Sequence, residues 1–177
     1  MHVTTLENDE ADRRISNRRA SEAATHEHRY DRRRYDRRTK TFFYNRTIHL
    51  SDTNTFGSVY YSRFIDFQGE AREEFLQYFM GKDLLTFINE GYGIVTIEIR
   101  CKYKAPLFVF DDVTVNLQVP VIKRTKFKLS MITEKINGKQ QAAVGEQWIG
   151  FTAPDGKVIP IPEIVLNNLK HYKANEN

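Results

Sequence analysis

From Ser51 to Ser58 the chain reads Ser-Asp-Thr-Asn-Thr-Phe-Gly-Ser, a loop of turn formers and helix-capping residues. Asn54 within it offers an amide that can orient a water or a carbonyl, but an amide cannot act as a carboxylate nucleophile or general base. Gly57 permits a ligand to approach the backbone closely. The amides of Ser58, Val59 and Tyr60 stand where a helix is expected to begin, so they are predicted to carry the positive end of its dipole and to form an oxyanion site. Oriented donors, a held water and exclusion of bulk solvent are what hydrolysis at a carbonyl carbon requires. Arg72 brings a fixed positive charge suited to an anionic transition state or product. It lies eighteen positions after Asn54, roughly 21–27 Å along an unbroken helix. The two therefore cannot touch one carbonyl unless the loop folds back or a neighbouring subunit supplies one of them.

Other residues compete for a chemical role. Glu70 and Glu73 are candidate bases, and each also fits a solvated helix face or a salt bridge. His49 sits near the same loop, yet no Asp or Ser partner stands at a useful spacing. Asp52 fits an Asx turn or a helix start. Cys101 falls in the apolar register of its segment and reads as a small buried hydrophobe. As the single cysteine it forms no internal disulfide, and no Cys/His cluster has zinc-site spacing, so no metal is expected. The cluster Lys123-Arg124-Thr125-Lys126-Phe127-Lys128 is a solvated turn or a docking point for an acidic or phosphorylated partner.

These residues need a scaffold. Phe42 to Leu50, rich in aromatic and β-branched residues, predicts a strand. After the loop the period changes: Tyr60, Phe64, Phe67, Ala71, Phe75, Tyr78 and Phe79 step by three and four, predicting one long helix of about five turns with an aromatic face. Met80-Gly81 marks its end, with Gly81 in a left-handed conformation. Beyond Gly93, Val95, Ile97, Ile99, Cys101 and Tyr103 alternate with Thr96, Glu98, Arg100, Lys102 and Lys104, the pattern of a half-buried strand. Val113 to Val121 alternates likewise, and Pro120 requires an edge or a bulge there. Phe127, Leu129 and Met131 mark a further strand, Asn137-Gly138 a hairpin turn, and Ala142 to Phe151 the returning strand. Asp155-Gly156 is another turn, and Pro160 to Asn168 a short terminal helix.

Composition divides the chain near Lys40. The whole carries a net charge of +4 over 177 residues, but ten of its fifteen arginines lie in residues 1–40, which hold no Phe, Trp, Gly or Pro. Such a segment cannot bury enough apolar surface to offset its ordering entropy and is expected to be a disordered basic extension. Partial helix is the alternative, since Ala11, Ile15, Arg18 and Glu22 are helically spaced. The Arg29–Arg38 run, with its interleaved tyrosines, has the pattern of an anionic-surface arm, although a solvated extension without nucleic-acid function explains it more simply. Residues 41–177 are expected to form one domain. With no apolar run of membrane-spanning length and an Arg-rich N-terminus where a signal peptide would be apolar, the chain reads as cytoplasmic.

A strand, a loop, a long helix and then an antiparallel meander pack most simply as a curved sheet wrapped around the helix, the α+β hot-dog architecture. The residues carry a family resemblance as well. Asp52 to Tyr61, followed by Phe67-Gln68-Gly69-Glu70-Ala71-Arg72-Glu73-Glu74-Phe75-Leu76, resembles the signature of hot-dog acyl thioesterases of the 4-hydroxybenzoyl-CoA thioesterase type. Many members of that superfamily carry an acidic residue where this chain has Asn54. The branch with Asn there and Arg in the middle of the helix is the thioesterase of enediyne polyketide biosynthesis, which residues 94–97 and 105–113 also resemble.

By that resemblance the substrate is a β-keto polyene thioester on the phosphopantetheine of an acyl carrier protein, hydrolysed to a β-keto acid that then loses CO₂. Asn54 and Arg72 become the principal pair, with Arg72 binding the β-keto oxygen or product carboxylate and Thr96 a hydroxyl that positions water. Gly57, Val59, Tyr60 and Tyr61 become oxyanion or tunnel residues, the two tyrosines being equally explicable as core. The resemblance further implies a homo-oligomer, a dimer or dimer of dimers, with its site at a subunit interface and no cofactor. A general acyl-CoA thioesterase of primary metabolism and a non-catalytic acyl-binding protein remain the alternatives.

Overall fold

A computed structural model describes residues 34–174. The expectations for Ala11 to Glu22 and for Arg29 to Arg33 lie outside the described residues. In chain order the elements are β1 (Tyr35–Asp36), β2 (Thr41–Thr47), a 3₁₀ turn (Leu50–Asp52), α1 (Arg63–Met80), α2 (Lys82–Asn89), β3 (Gly93–Tyr103), β4 (Asp112–Ile122), β5 (Lys126–Lys135), β6 (Gln140–Thr152), β7 (Val158–Ile159) and α3 (Glu163–Tyr172). The seven strands form one antiparallel sheet in the order β1-β2-β4-β5-β6-β3, with β7 also on β6. The sheet curves around α1 in the hot-dog manner.

The aromatic period of α1 explains its place. Phe64, Phe67, Ala71, Phe75, Leu76, Phe79 and Met80 are buried against the sheet. They meet Phe42, Val113, Val115, Leu117, Phe127, Leu129, Met131, Ile149 and Phe151 from its inner face in one core. Gly81 ends α1 at φ +57° and donates its N–H to the Gln77 carbonyl (2.9 Å). The helix begins at Arg63, however, so Tyr60 and Tyr61 precede it and are exposed instead of forming part of its core face.

Two boundaries differ from the composition and period. Tyr35 and Asp36, in the basic segment, pair with Phe42 and Thr41. Tyr35 packs edge-on to Tyr172 of α3, with ring centroids 4.8 Å apart, and Arg34 bonds Glu74 of α1 (3.0 Å). Residues 34–40 thus belong to the folded unit, because one half-buried tyrosine and one ion pair tie down what the arginines alone would not. The second difference is α2, an eight-residue helix between the expected helix and the strand after Gly93.

The third difference bears on the site. Thr96 pairs with Ile149 and Glu98 with Trp148, leaving Ile97 as the extra residue of a bulge. The alternation expected through Val95, Ile97 and Ile99 therefore breaks. Ile94 and Thr96 face α1 before the bulge, and Ile99, Cys101 and Tyr103 face it afterwards, as their inward-facing partners on β6 dictate. The Pro120 expectation holds, with a register shift between Gln118 and Val121 against β5.

Candidate active site

The loop before α1 is held by charge. Asp52, 1% exposed, accepts from the His49 backbone N–H (2.9 Å), from Arg46 Nη2 (2.6 Å) and from Arg63 Nη2 (2.6 Å) and Nε (3.2 Å). Arg46 also donates to Glu70 (2.6 Å) and lies 3.9 Å over the Phe67 ring, while Tyr44 donates to Glu70 (2.7 Å). Burial raises the Asp52 pKa, but the His49 amide and the two guanidinium groups outweigh it and hold the carboxyl below its usual range. Burial and the Glu70 acceptor push the Tyr44 phenol well above its ordinary value. Asp52 and Glu70 are accordingly structural anions, and Glu70 is not placed as a base.

Asn54 sits in the loop that this network anchors. Its Oδ1 accepts from the Phe56 N–H (2.9 Å) and the Ser58 hydroxyl (3.2 Å), an Asx turn, and its Nδ2 donates to nothing among the described residues. Gly57 adopts φ +74° in that turn. The oxyanion site expected at Ser58 to Tyr60 is corrected in part. The Val59 N–H donates to the Leu107 carbonyl (2.8 Å), the Tyr60 N–H to Asp52 (3.1 Å) and the Gly57 N–H to Asn54 (2.9 Å). The loop consumes these donors to close on itself and on residues 107–109. Among the described residues, the amides of Ser58 and Tyr61 donate to no backbone carbonyl. Tyr61 lies with Val59, Phe64 and Tyr103 around a cavity of about 350 Å³.

Arg72 and Thr96, each expected at the site but not as a contacting pair, do meet. Arg72 Nη1 donates to Thr96 Oγ1 (2.6 Å), and its Nη2 reaches Glu73 (3.2 Å). Because Thr96 precedes the bulge and pairs with inward-facing Ile149, its hydroxyl turns toward α1 and meets Arg72 at the exposed margin of the sheet. Beside it opens a groove of about 640 Å³ between α1, α2 and the start of β3. Leu76, Leu84, Leu85, Ile88, Tyr92 and Ile94 wall it, with Arg72 and Glu73 at its rim. It can take an apolar group while a guanidinium holds a polar end. The sequence reading missed α2 and therefore this wall, although Leu84, Leu85 and Ile88 have helical spacing between Gly81 and Gly91.

Asn54 and Arg72 are not brought together within one chain. The Asn54 loop adjoins the Tyr103 end of β3, whereas Arg72 binds Thr96, seven residues away, a strand length of roughly 23 Å. His49 contributes its backbone to Asp52 and exposes its side chain. Burial raises the Cys101 pKa against opposing hydrogen bonds from Gln68 and Tyr103, so the thiol is a poor nucleophile. Lys123 and Lys126 lie over the Trp148 ring at 5.2 and 4.7 Å, on the sheet face turned away from α1. Among the described residues no cluster of His, Cys, Asp and Glu could hold a metal, and no helix is long and apolar enough to cross a membrane.

Residues 48–169 match the family model described as "Thioesterase-like superfamily". The 1,4-dihydroxy-2-naphthoyl-CoA hydrolase of Thermosynechococcus vestitus is 28% identical over 121 residues, 68% of this chain and 82% of that protein. Among solved structures, a 1,4-dihydroxy-2-naphthoyl-CoA thioesterase from Synechocystis superposes with a TM-score of 0.68 at 24% identity, covering 73% of this chain and 96% of the other. The dynemicin thioesterase, a polyene-binding protein, gives 0.69 at 20% identity, covering 77% and 99%. At these identities the two structures share the fold with this chain.

Proposed function

The chain belongs to the thioesterase-like superfamily and is a thioester hydrolase of hot-dog fold; from that premise we propose that it cleaves an acyl-CoA thioester at a site completed by a second copy of itself. One observation carries this reading: the Arg72–Thr96 contact lies at the rim of an apolar groove, directly beneath an unpaired strand edge. That edge, β3, bonds β6 and, among the described residues, no strand on its other side, and it leaves Val95, Ile97 (52%) and Ile99 (41%) partly exposed, an edge of the kind natural sheets ordinarily cover. A second β3 pairing antiparallel about a two-fold axis between Ile99 and Arg100 sets the Tyr103 end of one copy beside the Thr96 of the other. The Asn54 loop of one subunit then faces the Arg72 of its partner, which resolves their separation within a chain.

The chemistry follows from the side chains. The apolar part of the acyl group occupies the groove and the thioester lies at its rim. Asn54 Nδ2 orients the carbonyl or the attacking water, and Glu73, beside Arg72, takes the water proton as hydroxide attacks the carbonyl carbon. Arg72 and the Ser58 and Tyr61 amides stabilise the oxyanion. The C–S bond then breaks, the thiolate recovers the proton from Glu73, the carboxylic acid so released gives its own proton to solvent, and the resulting carboxylate is held by Arg72. No cofactor enters these steps.

The relatives' CoA substrates favour a CoA thioester of an aryl or similar acid. A second reading, hydrolysis of a β-keto polyketide from an acyl carrier protein followed by decarboxylation, is favoured by Asn54 in place of an acid together with Arg72, whose guanidinium suits a β-keto oxygen. Single-turnover hydrolysis of a hydroxyaryl-CoA, a saturated acyl-CoA and a carrier-bound β-ketoacyl thioester tests both. Cleavage that falls roughly 10²-fold or more in Arg72→Ala is expected, and the preferred thioester decides between the readings. Retention of all three thioesters uncleaved by the wild type would refute hydrolysis.

A further inference from the structure

At the tip of the Asn54 loop, Phe56 is 86% exposed, the most exposed of the large apolar residues described. The turn that carries it is nonetheless well fixed. The Phe56 N–H donates to Asn54 Oδ1 (2.9 Å), the Gly57 N–H to the Asn54 carbonyl (2.9 Å) and the Asn54 N–H to the Ser58 carbonyl (2.8 Å). Phe108 and Phe110, on the loop bonded to this one by the Val109 N–H to the Gly57 carbonyl (3.2 Å), are exposed as well. Phe110 is held at φ +66°, a costly conformation for a bulky residue. These two loops therefore present aromatic surface to solvent on a rigid frame, the character of a surface meant to be covered.

The groove between α1, α2 and the start of β3 has the opposite deficiency. Its apolar lining is left open, with Leu85 (65%) and Ile88 (51%) of α2 exposed. Ile94 stands two residues before Thr96, Tyr92 four residues before it, and Ile88 a further four. The lining thus leads from the Arg72–Thr96 contact to the exposed face of α2. An apolar acyl group lying there is walled by one chain and still wet on its open side.

A site assembled from two subunits brings the two deficiencies together. Phe56 follows Asn54 by two residues, at most about 7 Å of chain, and the Asn54 side chain itself fixes the Phe56 N–H. Where Asn54 of one subunit addresses a thioester at its partner's rim, Phe56 stands at the mouth of the groove that holds the acyl group. Covering the groove with the phenyl ring removes apolar surface of both from water, and a turn already closed by three hydrogen bonds adds little ordering cost. We propose that Phe56 of one subunit roofs the acyl groove of its partner and so favours acyl groups with an apolar body over the acetyl group, an inference that rests on the shared-site reading above.

The first test compares kcat/KM for octanoyl-CoA, benzoyl-CoA and acetyl-CoA in wild type, Phe56→Ala and Phe56→Leu. Phe56→Ala is expected to lower the value for the better of the two larger thioesters about tenfold, largely through KM, and Phe56→Leu to restore part of the loss. Acetyl-CoA, which leaves the groove empty, should change less than about twofold. An equal fall for all three would overturn the roof and make Phe56 a support of the Asn54 turn, and no change in any would overturn it as well.

The second test needs no hydrolysis. Differently tagged chains carrying Phe56→Cys or Ile88→Cys, each with Cys101→Ala, are co-expressed and treated with a short bismaleimide. A cross-linked heterodimer is expected, formed faster than either variant links to itself. Protein that sediments as a dimer and gives no such heterodimer overturns the roof and leaves the shared interface standing, whereas a monomeric wild type overturns both. If a dimeric wild type cleaves none of the thioesters, the hydrolase reading fails separately and the cross-link decides the roof.

Discussion

Replacing Asp52 by alanine removes the anion that ties the Asn54 loop to both β2 and α1. Asp52 accepts two hydrogen bonds from Arg63 and one each from Arg46 and the His49 amide. Breaking a buried ion pair by deleting one partner costs about 3–5 kcal/mol, because it strands the other charge. Here the loss is smaller, since Arg46 keeps Glu70 and the more exposed Arg63 keeps Asp66. A destabilisation of roughly 2–4 kcal/mol is expected, or a fall in Tm of about 6–12 °C for a domain of this size. Asp52→Asn retains an acceptor for the His49 N–H but no charge, and should lose about half as much. The depressed Asp52 pKa fixes the pH dependence: its stabilisation is present above the unfolded-state value of about 4 and disappears as pH falls through the folded-state value. Urea denaturation of wild type and both variants between pH 7 and pH 3 reads all of this. A loss under about 1 kcal/mol at pH 7, or an acid slope identical in wild type and Asp52→Asn, would refute the ion network as the loop's anchor.

Gly145→Ala should destabilise by about 1–3 kcal/mol, the usual cost of overpacking, because its Cβ meets the Gln68 amide; calorimetry of the single variant and of Gly145→Ala with Gln68→Ala checks this, with partial rescue expected in the double. Ile97→Lys puts a charge at the bulge of the exposed β3 edge and should abolish the proposed β3–β3 pairing, so that the wild type sediments as an oligomer and the variant as a monomer in analytical ultracentrifugation, with hydrolysis lost in parallel. Cys101→Ala should retain hydrolysis, and the native thiol should react slowly with a thiol reagent at neutral pH and faster as pH rises, since burial raises its pKa.

The helix that positions Arg72 is legible in the sequence because Phe64, Phe67, Ala71, Phe75 and Phe79 repeat at a helical period and Gly81 stops it. The meander is legible from period-two alternation and the Asn137-Gly138 turn. What the sequence conceals depends on partners distant in the chain. The bulge at Ile97 is set by the register of β6, and it decides that Thr96 faces the helix and not the outside. Tyr35 looks like part of a solvated basic run until Tyr172 of α3 covers it. The family resemblance pairs Arg72 with Asn54 and names Thr96 separately, so the Arg72–Thr96 contact emerges only from the fold, and the donors expected at Val59 and Tyr60 are spent on loop closure.

The central claim is that Asn54 of one subunit and Arg72 of another act on the same thioester. Subunit mixing tests it directly: Asn54→Ala and Arg72→Ala are assayed alone, then after co-expression or reversible dissociation together. If the site is shared across a two-fold axis, each variant alone is inactive, and each heterodimer has one intact site beside one carrying both substitutions, so the random mixture regains roughly a quarter of wild-type activity. A mixture as inactive as its components would show that the two residues act within one chain or not together, and would contradict the account.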